Sequence, residues 1–266
     1  MAQHSLDVGS VKVHILDDGI FITSAGNLFG QSSRNAKIRG AMHTVLISTE
    51  DALALLDAGF GPELPEKLEG RYEIRREENL IDRLQEAGYT PEDVTHIVLS
   101  HLDADHVGWA LNPPSFPNAT VYVQSAALEE AQEMPEGDGR REAIPALEKG
   151  IEEGWCELLK GNTEIVEGLR VEVRSGHSEG HQISWIESGD DAALFTADLA
   201  PAKIWLDPDL ISSVDTDPEA ARKNRTEVLT EAEERDAPVI LYHEPHDFLV
   251  RIRKKGDGFE GVDWEG

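Results

Sequence analysis

The sequence predicts an α/β protein whose functional site lies at strand ends, and three observations carry that prediction. Short apolar runs alternate with segments of helical spacing in the order strand, helix, strand, loop, strand, helix. Histidine and aspartate gather just after those runs. They are densest in Ser100-His101-Leu102-Asp103-Ala104-Asp105-His106-Val107-Gly108-Trp109, which follows Ile97-Val98-Leu99. No stretch is long or polar enough to act as a linker, so residues 1–266 are read as one domain.

Residues 11–16 and 19–23 read as a hairpin turning at Asp17-Asp18. Residues 43–48 and 52–57 form a second strand pair, whose exit Asp57-Ala58-Gly59-Phe60-Gly61 carries two glycines for a tight turn. An aspartate at the end of a buried strand needs partners. Asp57 is therefore either a turn former or an acceptor for a metal-binding imidazole. Leu80, Ile81, Leu84 and Ala87 recur at helical spacing within 78–88, closed by Gly88. Thr90-Pro91-Glu92-Asp93 starts a short helical turn before the strand at 94–99. A strand at 119–123 and a helix at 125–133 follow.

The stretch 134–161 is broken by Pro135, Gly137, Gly139 and Pro145. A helix is expected over 146–153, and the whole stretch reads as a mobile loop or partial lid, with Trp155 a packing residue or pocket wall. The second half repeats the style of the first, with strands at 163–166, 169–173, 183–187, 192–196 and 239–242. A helix capped by Asp217-Pro218 runs to about Arg235.

Hydrophobic residues make up 39% of the chain, enough for a globular core. The 24 Lys+Arg against 52 Asp+Glu leave a net charge of −28, which argues against nucleic acid and anionic membranes as partners. Cys156 is the single cysteine, so an internal disulfide and a cysteine-built zinc site are both excluded; it reads as a half-buried apolar residue. The start of the chain has neither a basic nor an apolar leader region, and no run approaches a membrane span, so a cytoplasmic protein is expected.

In an extended or loop segment His101, Asp103 and Asp105 would project to one side, with His106 turning in from the next element. Two imidazoles and two carboxylates exceed what one ion with an open position needs, but they suit half of a two-metal site. Three further strand ends supply donors: Ser175-Gly176-His177-Ser178-Glu179-Gly180-His181, Phe195-Thr196-Ala197-Asp198 and Leu241-Tyr242-His243-Glu244-Pro245-His246. His181, His96 and His43 read as structural histidines.

Together His101, Asp103, Asp105, His106, His177, Asp198 and His243, in this order, resemble the metallo-β-lactamase superfamily over nearly the whole chain. The runs ENLIDRLQEAGYTPEDVTHIVLSHLDADHVGWA and FPNATVYVQ are similar to the branch holding N-acyl-homoserine lactonases and methyl parathion hydrolase-type enzymes. The resemblance implies a four-layer αββα sandwich, two mixed sheets with helices outside and two divalent metal ions at one edge between the sheets. It implies that His101, Asp103 and His177 bind the first ion, that Asp105, His106 and His243 bind the second, and that Asp198 bridges them. His246 competes with His243, but the family places its ligand two residues before the proline, which favours His243.

The family loop is HxHxDH, whereas this chain has HxDxDH, with Asp103 at the second position. A carboxylate there adds charge and a hard donor, favouring manganese or iron over zinc and lowering the first ion's Lewis acidity; a zinc site with a mixed shell stays open. The flavodiiron branch resembles this, with glutamate at that place.

The reaction expected is ester hydrolysis by a metal-bridging hydroxide, on a neutral or weakly charged lactone or carboxylic ester, or on a phosphotriester. Asp105 is expected to carry the proton to the leaving group. No Ser or Cys nucleophile is needed, and no Gly-x-Ser-x-Gly motif is expected to supply one. Trp109 and Trp205 are pocket walls or core aromatics. Family members often pair near the site, implying a homodimer. A non-haem di-iron redox enzyme and a non-catalytic metal- or ligand-binding protein are the rival readings.

Overall fold

Side-chain alternation along the strands sets the layering. The structure, a computed structural model, describes residues 4–30, 35–63, 68, 70–111 and 114–264. The first sheet contains β1 (His4–Val8), β2 (Val11–Ser24), β3 (Lys37–Ser48), β4 (Leu53–Leu56), β5 (Tyr72–Arg75), β6 (His96–Val98), β7 (Thr120–Gln124) and β8 (Cys156–Leu159). Its order is β1-β2-β3-β4-β6-β7-β8, with β5 beside β2; it is antiparallel as far as β4 and parallel beyond. The second sheet runs through β9 (Thr163–Val166), β10 (Leu169–Val173), β11 (Gln182–Ser188), β12 (Asp191–Phe195), β13 (Pro238–Ile240), β14 (Leu249–Lys255) and β15 (Gly258–Asp263), with β12 and β13 its parallel pair.

Val45, Ile47, Ala54 and Leu56 of the first sheet meet Val171, Ile186, Ala193 and Phe195 of the second in one buried cluster. Their chain neighbours face the other way. After the single turn α1 (Gly26–Phe29) the helices lie outside the sheets: Leu46 and Leu55 pack with Leu80 and Leu84 of α2 (Leu80–Glu86), Val107 of α3 (Ala104–Leu111), Leu128 of α4 (Ser125–Glu133) and Leu147 of α5 (Ile144–Glu153). Across the molecule, Trp185 and Leu194 pack with Val228 and Leu229 of α6 (Pro218–Glu234). Two mixed sheets face to face with helices on both outer surfaces make the expected αββα sandwich. Among the described residues no helix is long and apolar enough to cross a membrane.

The hairpin expected at Asp17-Asp18 is not there. Residues 11–24 form one continuous strand, with an irregularity against β3 between Asp17 and Ile20. Asp18 points inward instead of out into a turn. Its carboxylate accepts from the Leu80 amide at 2.9 Å, the Trp109 indole at 3.0 Å and Arg76 at 3.0 Å. Burial pushes its pKa up to about 6 while the Arg76 guanidinium pulls it down. Those bonds keep the chain within the strand, with a local irregularity in place of the reversal that such a pair of residues usually makes.

Residues 134–161 are more ordered than the loop expected: a short 3₁₀ segment over Gly139–Ala143, then α5 and β8. The metal-type loop is also shorter than expected, because α3 begins at Ala104 and places Asp105 and His106 in its first turn. The 57–61 exit lies against that helix. A Cβ on Gly108 would stand 1.9 Å from the Phe60 carbonyl carbon, and the Gly108 and Trp109 amides donate to Gly59 and Ala58. Only glycine allows the two backbones to approach this closely.

Candidate metal centre

Five chain segments leave the strands at one edge of the sandwich, and each delivers at least one polar side chain to the same place. The 57–61 exit of β4 supplies Asp57, the exit of β6 Ser100 to Asp103, and α3 Asp105 and His106. The β10–β11 connection supplies His177, the end of β12 Asp198, and the end of β13 His243.

His101, Asp103 and His177 form one group of donor atoms within 4.8 Å of one another; Asp105, His106 and His243 form another, and Asp198 joins His101 and His106 in a third. Asp198 spans the set: Oδ1 lies 3.4 Å from His106 Nε2 and 3.3 Å from His243 Nε2, and Oδ2 lies 3.6 Å from His177 Nε2. All seven side chains singled out in the sequence therefore converge. His246 does not; it is exposed, with its amide directed to Glu244.

Each imidazole is aimed by its other nitrogen. His106 Nδ1 meets Asp57 Oδ2 at 2.8 Å, His177 Nδ1 meets Asp215 at 3.2 Å, and His243 Nδ1 donates to the Ala41 carbonyl at 2.7 Å. Ser100 Oγ lies 2.9 Å from His101 Nδ1, and the Ser100 amide and hydroxyl both donate to Asp57 at 2.7 Å. The two readings of Asp57 hold together. Its φ of 57° puts it in the left-handed region of a turn, and its carboxylate is an acceptor beneath the site.

What remains is a set of orphans. His101 Nε2, His106 Nε2 and Asp198 Oδ1 are buried and have no hydrogen-bond partner. Leaving such atoms unpaired is costly, and a cation at their meeting point would satisfy all three. The nitrogen and oxygen donors present suit divalent ions such as zinc or manganese, so the residues fit a two-metal centre.

The electrostatics agree. Burial pulls His106 down, yet Asp198 and Asp57 outweigh it and hold the imidazole well above its usual range. Burial likewise pulls His177 down, but Asp103, Asp215 and Asp198 raise it to about 10. Burial would raise Asp198, but His243 and His106 keep it well below the usual carboxylate range. This is a nest of negative charge that wants positive charge, which protons supply when no cation does.

His43, His96 and His181 lie outside the three donor groups, although His43 Nδ1 and His181 Nε2 are also buried without a hydrogen-bond partner. His43 packs on Phe248 and bonds the Glu244 carbonyl, and His96 stacks on Tyr122. His181 lies beside His101 and His177, its Nδ1 at the Arg174 carbonyl. One sequence expectation fails: Gly176-His177-Ser178-Glu179-Gly180 does spell Gly-x-Ser-x-Gly. It joins two strands with no helix after it, and Ser178 is buried, so it is not a nucleophile elbow.

Asp103, Asp105, His177, Asp198 and His243 border a cavity of about 920 Å³. Its outer wall includes Phe21, Phe29, Ile38, Tyr72, Ile204 and Trp205, with Phe29 stacked on Trp205. Of the three tryptophans considered, Trp205 alone lines this cavity; Trp109 is tied to Asp18, and the Trp155 indole donates to Glu153. Residues 134–140 close one side and bring in Arg140. Reading the sequence missed Arg140 and Asp215. The available signal for Arg140 was a basic pair, Arg140-Arg141, in an otherwise acidic run; Asp215 left none.

The family model described as the metallo-beta-lactamase superfamily matches residues 39–243. An N-acyl homoserine lactonase of Bacillus thuringiensis is 28% identical over 210 residues, covering 74% of this chain and 78% of the relative. A probable metallo-hydrolase of Mycobacterium tuberculosis is 33% identical over 135 residues, covering 47% of this chain and 38% of that protein. Among solved structures, the dizinc quorum-quenching lactonase AidC, in complex with an N-acyl-homoserine product, superposes with a TM-score of 0.82 at 22% identity, covering 100% of this chain and 98% of that one. A probable metal-dependent hydrolase from Staphylococcus aureus superposes with a TM-score of 0.84 at 23% identity, covering 98% and 99%.

Proposed function

The chain belongs to the metallo-β-lactamase superfamily, and on that premise we propose that this metal-dependent hydrolase opens lactones or cleaves related carboxylic esters. The observation that carries the proposal is the convergence of buried, unpartnered His101 Nε2, His106 Nε2 and Asp198 Oδ1 beside a large cavity. His101, Asp103 and His177 would hold one divalent ion, Asp105, His106 and His243 the other, and Asp198 both. Bound there, two dications would supply an activated water and polarise the scissile carbonyl.

The protein's own groups then have separable tasks. Asp57, Asp215 and the Ala41 carbonyl keep three imidazoles turned with one nitrogen toward the centre. Asp105 borders the cavity, with Oδ2 3.5 Å from His243 Nε2. It is placed to pass a proton to the departing alkoxide, and its backbone carbonyl is pinned by the Tyr242 hydroxyl at 2.6 Å. The aromatic and aliphatic outer wall, with Phe29 against Trp205, suits an acyl chain of low charge.

The test is a panel of N-acyl lactones, aryl esters and phosphotriesters, run on apoprotein restored with zinc, manganese or iron. Lactone turnover that requires metal is the expected result. Protein with two ions bound that hydrolyses none of the panel would sink the proposal, and an oxygen-sensitive iron chromophore would replace it with a redox function.

A further inference from the structure

Asp103 stands where the resemblance places a histidine, and a half-buried cation stands beside it. Arg140 Nε lies 3.4 Å from Asp103 Oδ1. The other carboxylate oxygen, Oδ2, faces the metal-type donors, 3.4 Å from His177 Nε2 and 3.7 Å from His101 Nε2. The carboxylate is thus divided, with one oxygen toward the centre and one toward a guanidinium. The Arg140 side chain is only 14% exposed, and it also reaches Glu130 at 3.3 Å and Asp138 at 3.5 Å.

The segment that presents Arg140 is built to hold it there. Asp138 caps the Gly139–Ala143 turn by accepting from the Arg140 amide at 3.0 Å. Arg141 turns the opposite way and donates to the carbonyls of Ala131, Gln132 and Met134 at the end of α4. That clasp ties the segment to the helix and frees Arg140 to face the cavity.

We propose that Arg140 is a positioning residue that occupies one oxygen of Asp103 and offsets part of its extra negative charge, so that the aspartate acts toward a metal ion as a single, weakened oxygen donor and the site favours zinc over manganese. A neutral imidazole brings one donor and no charge; an aspartate whose second oxygen faces a guanidinium brings one free donor oxygen and a charge partly offset, since Arg140 also serves Glu130 and Asp138. Without the guanidinium, Asp103 offers two fully charged hard oxygens, the donor type that manganese favours. The inference rests on the two-ion reading of the centre.

Relative zinc and manganese affinities, measured by competition with a chelator on the full chain, test it. R140M should shift the preference toward manganese by about tenfold, roughly what one paired charge is worth in a half-buried site. R140K keeps the charge and should stay within about twofold of the wild type. In a D103H background, where no charge needs cancelling, adding R140M should shift nothing.

An equal shift in both backgrounds, or none from R140M in protein that still binds two ions, overturns the role of Arg140 and leaves the metal centre standing. A wild-type chain that takes up no pair of ions overturns both. If R140M does not fold, R140Q and D103N read the same coupling, since with D103N the guanidinium should again be dispensable.

Discussion

The floor of the site and the wall of its cavity are built on different principles. The floor residues His101, His106 and Asp57 are fully buried, come from strand ends and the first turn of α3, and are cross-tied by Ser100. The wall comes from connections and strand margins: Phe29 in the short helix after β2, residues 134–140 before α5, and Ile204 and Trp205 in a single turn of 3₁₀ helix. Ile204 is 54% exposed in spite of its apolar side chain. On the proposed reading, chemistry sits where the backbone is over-determined, and selection of substrate sits where it is not.

That contrast breaks most easily at the floor. His177→Ala and Asp198→Ala should each lower turnover by about a thousandfold or more, because a lost donor releases metal. Element analysis beside a rate assay decides it, and near-normal rates with full metal content would contradict the ligand set. Asp57→Asn tests the layer beneath. Asparagine tolerates the left-handed backbone at this position, so the variant reports lost charge and not a strained turn. Metal affinity should fall by about tenfold to a hundredfold; an unchanged chelator titration would show that Asp57 is only a turn former.

The next effect depends on pH. In metal-free protein His177 is raised to about 10 against burial by Asp103, Asp215 and Asp198. A raised folded-state pKa contributes stability that is complete below the ordinary imidazole value of 6.5 and is lost as pH climbs through about 10. Metal affinity should move the other way, rising over the same window, because each ion displaces that proton. Denaturant melts of apoprotein at the two ends of the window, paired with chelator competition, test both signs, and a metal affinity flat above pH 7 would refute the coupling.

The smallest effect belongs to the wall. Trp205→Ala should leave metal content unchanged and raise KM several-fold for esters with long acyl chains, with less effect on short ones. Equal losses for all chain lengths would mean that Trp205 supports the floor and that the division between the two regions is false.

How far the sequence reaches follows the same division. The strands around His101, Asp198 and His243, the helix over Pro218–Glu234 and the capped Leu80–Glu86 helix follow from local pattern and capping residues. The hairpin at Asp17-Asp18 was misread because local turn chemistry lost to three distant donors, the Leu80 amide, the Trp109 indole and Arg76. Trp109 and Trp205 look alike in sequence, each just past a donor-bearing strand end; one is tied inside to Asp18 and the other faces the cavity.

The amino-acid order alone determined which seven His and Asp side chains meet at the sheet edge, since each follows an apolar strand closely enough for its place there to be a local matter. Which groups stand behind and around those donors was settled only by the folded chain. Asp215 behind His177 and Arg140 beside Asp103 arrive from segments with no periodicity of their own. Their positions depend on how layers pack across long separations, and nothing local in the chain encodes that contact.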